Sequence, residues 1–374
     1  MRSMHWHAEW PSADEKHELQ SLKAKICRRS VLGSLYFMWV CGITGVAIMG
    51  AYSLYAITRS VLSLNTIPVP RSVAYFLTFL VLYETYHWLT PGLHRWDAMR
   101  RFLHYMFTKY PYFRRTVCLF DEELDANAIK DRGDNAPASR QVPSDSSDAD
   151  SFFVKPDDKS LFAFHPHGIL SCGFGMNGIH HTKFAKSNTR WLVAENLFWF
   201  PIMRDLLHWM DSSNVKKETF IELMKKNQNI GFLPGGFEDA TLYKRGTHRV
   251  FIKNRFGFIK LALQFGYKVY PVYTFGEEHT FDALPYFLHL RLKLNAFKLP
   301  GAIFMGSPWC FFMPRSNVDL VTVVGKPLEL PTIKHPTKQD VQKYHVLYVS
   351  SLHALFEKHK AKYAVDPDAT LEMY

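Results

Sequence analysis

Phe162-Ala163-Phe164-His165-Pro166-His167-Gly168-Ile169-Leu170 is the stretch on which the reading of this chain turns. A short apolar and aromatic run of strand character delivers two imidazoles into Pro and Gly, residues that stop a strand and let backbone approach a ligand closely. Positions two apart on an extended chain share a face, and Pro166 denies the pair a helical setting. The stretch therefore predicts a strand end that presents His165 and His167 to a cleft. An isolated H-x-H is as often a pair of half-buried loop histidines, so the downstream residues have to decide.

Downstream, the same pattern repeats. Residues 229–233 read as a strand ending in Pro234-Gly235-Gly236-Phe237-Glu238-Asp239-Ala240, and residues 268–273 as a strand closed by Phe275-Gly276-Glu277-Glu278. Residues 320–324 supply another strand before Gly325-Lys326-Pro327. Between and after them, about 201–210, 217–226, 255–265 and 337–363 carry helical periodicity; in the last, Val341, Tyr344, Tyr348, Leu352 and Leu355 fall on one face. Strands alternating with helices predict an α/β domain over 161–363, a mixed, largely parallel sheet flanked by helices, with ligands beyond the strand carboxyl ends.

Upstream, residues 31–57 contain no charged side chain, which exceeds the roughly 20 residues a helix needs to cross hydrocarbon. A second apolar run, 72–89, is interrupted by Glu84, and together they predict a membrane hairpin over 31–91. Lys23, Lys25, Arg28 and Arg29 precede it, and Arg95, Arg100, Arg101, Lys109, Arg114 and Arg115 follow, so the positive-inside bias puts both outer ends on the cytosolic side. Residues 1–30 become a cytosolic tail, 92–120 an interfacial segment and 364–374 a C-terminal tail. Residues 121–160 hold eleven acidic against five basic side chains and few large aliphatics, the composition of a flexible insertion that builds no core.

The 374 residues carry a net charge of +11, and 47% of them are hydrophobic. That basic balance points to an anionic partner without choosing among nucleic acid, phospholipid and a phosphorylated substrate. No nucleic-acid motif accompanies it. Five scattered cysteines, never in C-x-x-C spacing, suggest neither a disulfide framework nor a zinc knuckle and fit a reducing compartment.

HPHG at 165–168, PGGFEDA at 234–240, NRFGFIKLAL at 254–263, PVYTFGE at 271–277 and VVGKPLELP at 323–331 resemble, in order and spacing, the signatures of the type-2 diacylglycerol acyltransferase family, which includes monoacylglycerol and wax-alcohol acyltransferases. The resemblance implies a membrane enzyme of the endoplasmic reticulum, reaching lipid droplets in some members, with its catalytic domain facing the cytosol. It implies fatty acyl transfer from acyl-CoA, a substrate rather than a cofactor, to diacylglycerol, with monoacylglycerol or a long-chain alcohol as the alternative acceptor. Partners would be these substrates and membrane lipids, with a homo-oligomer left open, and neither metal nor nucleic acid.

The chemistry of the residues agrees. An alcohol attacks a thioester poorly unless a base withdraws its proton, and neutral imidazole suits that task near neutral pH, contributing about 100- to 10,000-fold. His167, next to Gly168, is the expected base, with His165 orienting it or lining the cleft. Related glycerolipid acyltransferases pair their His with an Asp five residues on, but Leu170 and Cys172 stand there in this chain. The orienting carboxylate must come from elsewhere, Glu238 first and Asp239 second. Backbone N–H groups around Gly168, Gly235 and Gly236 would hold the oxyanion. Arg249, Lys253 and Arg255 would meet the phosphates of coenzyme A, while Pro166, Phe237 and Asp239 would line the substrate. Two rivals are a metal hydrolase drawing on His279 and Asp282, and a non-catalytic lipid-binding membrane protein.

Overall fold

The computed structural model describes residues 21–64, 66–90, 92, 95–122, 154–297 and 301–374. Most of the expected tail 1–30 and of the acidic insertion lies outside the described residues. Helix α1 runs from Leu22 to Leu62, capped by Ser21, whose hydroxyl accepts the Ala24 N–H at 3.2 Å, and it passes through a π-helical stretch at Phe37–Gly42. Its first half is held by the rest of the protein: Leu32 and Tyr36 are buried in one cluster with Tyr112, Ile169, Leu170 and Phe281. Its second half exposes Ile48, Leu54 and Val61.

Among the described residues, α1 is the one helix long and apolar enough to cross a membrane. Helix α2 (Arg71–Leu89) does not reach that standard, so the second span of the expected hairpin is not shown. The reason is polar: α2 opens on Arg71, and its far half is tied to the domain by charge. Glu84 pairs with Arg204 at 3.0 Å, while Asp205 accepts from the Tyr83 hydroxyl at 2.7 Å and meets His87 at 3.2 Å. Helix α3 (Asp97–Lys109) follows.

The remaining elements build the expected α/β domain. Its strands are β1 (Arg115–Phe120), β2 (Ser160–His165), β3 (Arg190–Val193), β4 (Ser212–Asn214), β5 (Ile230–Phe232), β6 (His248–Val250), β7 (Lys268–Phe275), β8 (Asp282–Ala283), β9 (Phe304–Met305), β10 (Asp319–Val324) and β11 (Leu371–Met373). Its helices are α4 (Met203–Trp209), α5 (Lys217–Lys225), α6 (Gly236–Leu242), α7 (Gly257–Phe265), α8 (Leu288–Asn295) and α9 (Lys338–Tyr363). Seven strands form one sheet in the order β1-β10-β7-β2-β5-β3-β4. The five from β7 to β4 run parallel, and β10 joins β7 antiparallel with β1 parallel to it at the edge.

Every residue of β2 is buried, as the central strand of a sheet covered on both faces must be. The long helix α9 starts at a reciprocal cap, in which the Thr337 hydroxyl accepts the Asp340 N–H and the Asp340 carboxylate accepts the Thr337 N–H at 2.8 Å. Its buried face carries Val341, Tyr348, Leu352, Leu355 and Phe356 onto β7 and α7. Each such side chain contributes about 1.5–3 kcal/mol when removed from water. The final strand, β11, pairs parallel with β6 in a separate two-stranded sheet.

Candidate active site

Strands β7, β2 and β5 are neighbours and parallel, with His165 in register with Tyr273 and Ala163 with Phe232. Their carboxyl ends therefore release three chain segments on one edge: Pro166 to Gly168, Pro234 to Asp239, and Gly276 to Glu278. Pro and Gly stop the first two strands and Gly276 the third, and a carboxylate follows in the second and third.

Two buried carboxyl groups fix the turn that carries the histidines. Asp239 accepts the His167 N–H at 3.1 Å through Oδ2 and the Phe251 N–H through Oδ1. Gly235 leaves room for it, since a Cβ there would overlap the Asp239 carboxyl. Glu277 lies against Gly168 and accepts from two further amides, Cys172 at 3.1 Å and Gly173 at 2.6 Å. Gly168 has φ +63°, and a Cβ on it would stand 2.6 Å from Glu277 Cγ, so both conformation and space demand glycine. Burial pushes Asp239 up to about 7, Glu277 to about 8 and Glu278 to about 7.

The two imidazoles have separate surroundings, so the shared face expected of an extended chain is not found; β2 ends at His165 and the chain turns at Gly168. His165 is fully buried, with Nε2 at 2.9 Å from the Tyr348 hydroxyl of α9. Burial holds it down at about 3, and it stays neutral at physiological pH. His167 is half-buried. Its Nδ1 lies 3.0 Å from the Gly168 carbonyl, which only accepts, so Nδ1 carries the proton and Nε2 keeps its lone pair. The Ser171 hydroxyl stands 3.2 Å from Nδ1 and 3.4 Å from Nε2. Burial also lowers the His167 pKa.

Among the described residues no carboxylate meets the His167 ring. Glu238, the first choice for that partner, pairs instead with Arg255 at 2.6 Å, because the first turn of α6 points it away from the turn that Asp239 holds. A main-chain carbonyl orients the ring, and Asp239 anchors the backbone of the same residue. Two of the three cations expected to meet phosphates are already paired. Arg249 binds Glu372 of β11 at 2.9 Å, Arg255 is shared between Glu238 and the Gly235 carbonyl, and Lys253 alone is exposed. Gly236 takes φ +58° at the start of α6, and Phe237 and Pro166 are half-buried beside the turn. Among the described residues no acceptor takes the Gly168 N–H, which leaves it one of the turn amides free to donate.

Behind this layer lies a buried polar relay that the sequence did not point to. The Tyr273 hydroxyl is 3.0 Å from His248 Nδ1, His248 is 3.7 Å from Glu278, and Glu278 accepts the Gly276 N–H at 3.0 Å. His279 is the outermost member, 3.6 Å from Glu278, and Asp282 binds Arg245 and Arg315. The residues of the metal-hydrolase rival are thus taken up in other pairs. From the other side Tyr36 of α1 reaches in, its hydroxyl 3.2 Å from Cys172 Sγ, next to an amide that Glu277 holds. Two acids directly after a Gly at an apolar strand end were the available signal for Glu277 and Glu278; Ser171, Tyr36 and Tyr348 gave none.

Residues 148–374 match the family described as Diacylglycerol acyltransferase, over half of the chain. This chain belongs to that family. The diacylglycerol acyltransferase match contains all three site segments, and acyl transfer is the enzyme class it carries. The human diacylglycerol O-acyltransferase 2-like protein 6 is 34% identical over 57% of this chain and 69% of its own. Diacylglycerol O-acyltransferase 2 of Dictyostelium discoideum is 34% identical over 55% and 67%. Human acyl-CoA wax alcohol acyltransferase 1 is 31% identical over 56% and 69%. The crystal structure of the 1-acyl-sn-glycerophosphate acyltransferase of Thermotoga maritima aligns with a TM-score of 0.38 at 12% identity, over 91% of this chain and 99% of that one.

Proposed function

We propose that the protein is a membrane-bound O-acyltransferase that moves a fatty acyl group from acyl-CoA to diacylglycerol, giving triacylglycerol, with His167 as general base. The observation that carries the reading is the Nδ1 contact of His167 with the Gly168 carbonyl, which leaves Nε2 as an unprotonated base at a strand carboxyl end. Nε2 takes the acceptor's hydroxyl proton as the oxygen attacks the thioester carbonyl. The C–S bond then breaks, and the imidazolium returns the proton to the coenzyme A thiolate. The Gly168 N–H is the donor for the developing oxyanion. Asp239 and Glu277 keep the turn in place, and Lys253 is the cation left for a coenzyme A phosphate.

In this proposal α1 sits in the endoplasmic-reticulum membrane, α2 completes a hairpin, and the domain faces the cytosol, from which lipid droplets are reachable. Family relatives named for diacylglycerol and for wax alcohol keep a long-chain alcohol as the second acceptor. Expression in a host lacking neutral-lipid synthesis, with labelled acyl-CoA and each acceptor offered in turn, tests both. Triacylglycerol formed by the wild type and lost in His167→Gln supports the reading. Unchanged acyl-CoA consumption by a folded His167→Gln enzyme refutes it.

A further inference from the structure

Residues 284–312, between the buried carboxyl pair and β10, take no part in the chemistry above, yet they carry the most exposed aromatic of the domain. Trp309 is 94% exposed, Phe297 76% and Phe287 72%, and Tyr286, Leu290 and Ile303 stand out beside them. A water-soluble surface rarely exposes so many large apolar side chains from one segment; apolar patches of that kind mark a protein or membrane contact.

The exposure is built in. Arg291 of α8 is buried, its guanidinium donating to the Thr241 carbonyl at 3.2 Å and the Gly301 carbonyl at 3.0 Å, while the Thr241 hydroxyl donates to Asn295 at 3.1 Å. Arg291 and Asn295 thereby hold α8 to α6, which leaves Leu290 and Leu294 on its exposed side. On the other flank β8 and β9 pair, and the Leu284 N–H donates to the Ile303 carbonyl at 2.8 Å, setting Ile303 opposite Leu284, two residues before Tyr286.

We propose that this segment is a second membrane contact, a platform that dips into the bilayer interface beside α1. Two observations select a lipid surface over a protein. First, the platform is continuous with α1 where that helix leaves the domain: Phe312 meets Phe37 at 5.9 Å between ring centroids, and Gly33 faces Met313. Second, its charge suits an anionic surface. From Ala283 to Val318 there is no Asp or Glu, while Lys293 is exposed. Since α8 is mounted on α6, which bears Asp239, the platform brings the lipid phase to the helix that anchors the catalytic turn. The acceptor then enters from the membrane without crossing water.

The inference rests on α1 lying in a bilayer, and the test separates the two. The full-length protein, with Cys27, Cys41 and Cys310 changed to Ser, carries one fluorescent label at Trp309→Cys, at Tyr55→Cys on α1 or at Val346→Cys on α9. Each is reconstituted in vesicles of phosphatidylcholine and phosphatidylserine and exposed to nitroxide lipid or to aqueous iodide. The platform predicts that labels at 309 and 55 are quenched by the lipid and shielded from iodide, with the reverse at 346. Lipid quenching at 55 with iodide quenching at 309 overturns the platform alone. Iodide quenching at both overturns the membrane reading itself. A label at 309 shielded from both quenchers overturns the proposal in favour of a protein partner or a second copy.

Discussion

Replacing Asp239 with Asn changes almost nothing in volume and removes one of two acceptors. The two carboxylate oxygens receive the N–H groups of His167 and Phe251, whereas an amide offers one oxygen and turns an NH2 toward the other donor. A buried N–H left without a partner costs about 1–3 kcal/mol. If that whole cost falls on the position of the base, at about 1.4 kcal/mol per factor of ten, kcat drops by roughly 5- to 150-fold. Asp239 touches the main chain of His167 and not its ring, so the loss comes from misplacement. The pH dependence provides the sharper reading. Asp239 ionises at about 7, and only the carboxylate accepts both amides, so the wild-type rate rises through that pH. The His167 pKa is lowered, and its own limb lies further to the acid side. In Asp239→Asn the limb near pH 7 vanishes and the acidic one stays. Initial rates with labelled acyl-CoA in detergent from pH 5 to 9 measure this, and a variant with kcat within twofold of wild type and an unchanged profile would refute the anchoring role.

Gly168→Ala adds a Cβ at a positive φ, worth about 1–2 kcal/mol, and drives Glu277 off the Cys172 and Gly173 amides; a loss of more than about a hundredfold in kcat is expected in the same assay. Glu238→Gln breaks only a partly exposed pair with Arg255, worth at most about 1 kcal/mol, and kcat should stay within about fivefold of wild type. A larger fall would return the catalytic carboxylate to Glu238. Buried His165, His180 and His181 are held neutral down to about 3. They supply full stability above pH 6.5 and lose it as the pH falls, each by up to about 1.4 kcal/mol per unit, which urea midpoints at pH 7 and pH 5 will register. The raised carboxyls act oppositely, their contribution fading from about pH 4 upward to 7 or 8, so Glu278→Gln should stabilise the protein more at pH 8 than at pH 6.

The strands that end in Pro and Gly were legible because their chemistry is local: β2, β5 and β7 each announce themselves by an apolar run and a punctuating turn. Helix α9 was legible from its periodic face. Strands β3 and β4 were not, since Arg190 and the serines of β4 look like loop residues until the neighbouring strands bury them. At the site, the sequence placed His167 and both acids of α6 in one neighbourhood but put Glu238 ahead of Asp239, whereas Asp239 is the one that contacts His167. Their order depends on which way the first turn of a helix points its side chains, and Glu238 and Asp239, adjacent in sequence, face different partners. Tyr348 was recognised as a core residue and Tyr36 as a membrane residue; that both reach the site depends on long-range packing that no local pattern encodes.

The small sheet of β6 and β11 has a consequence for how the protein is made. The Phe251 amide that feeds Asp239 is followed by those of Ile252 and Lys253, and both donate to the Tyr374 carbonyl, at 2.9 Å and 2.7 Å. During synthesis, α1 leaves the ribosome some three hundred residues before that carbonyl does. The segment beside the His167 turn therefore still waits for its partner long after α1 has left the ribosome, and it gains that partner only when this region has been translated.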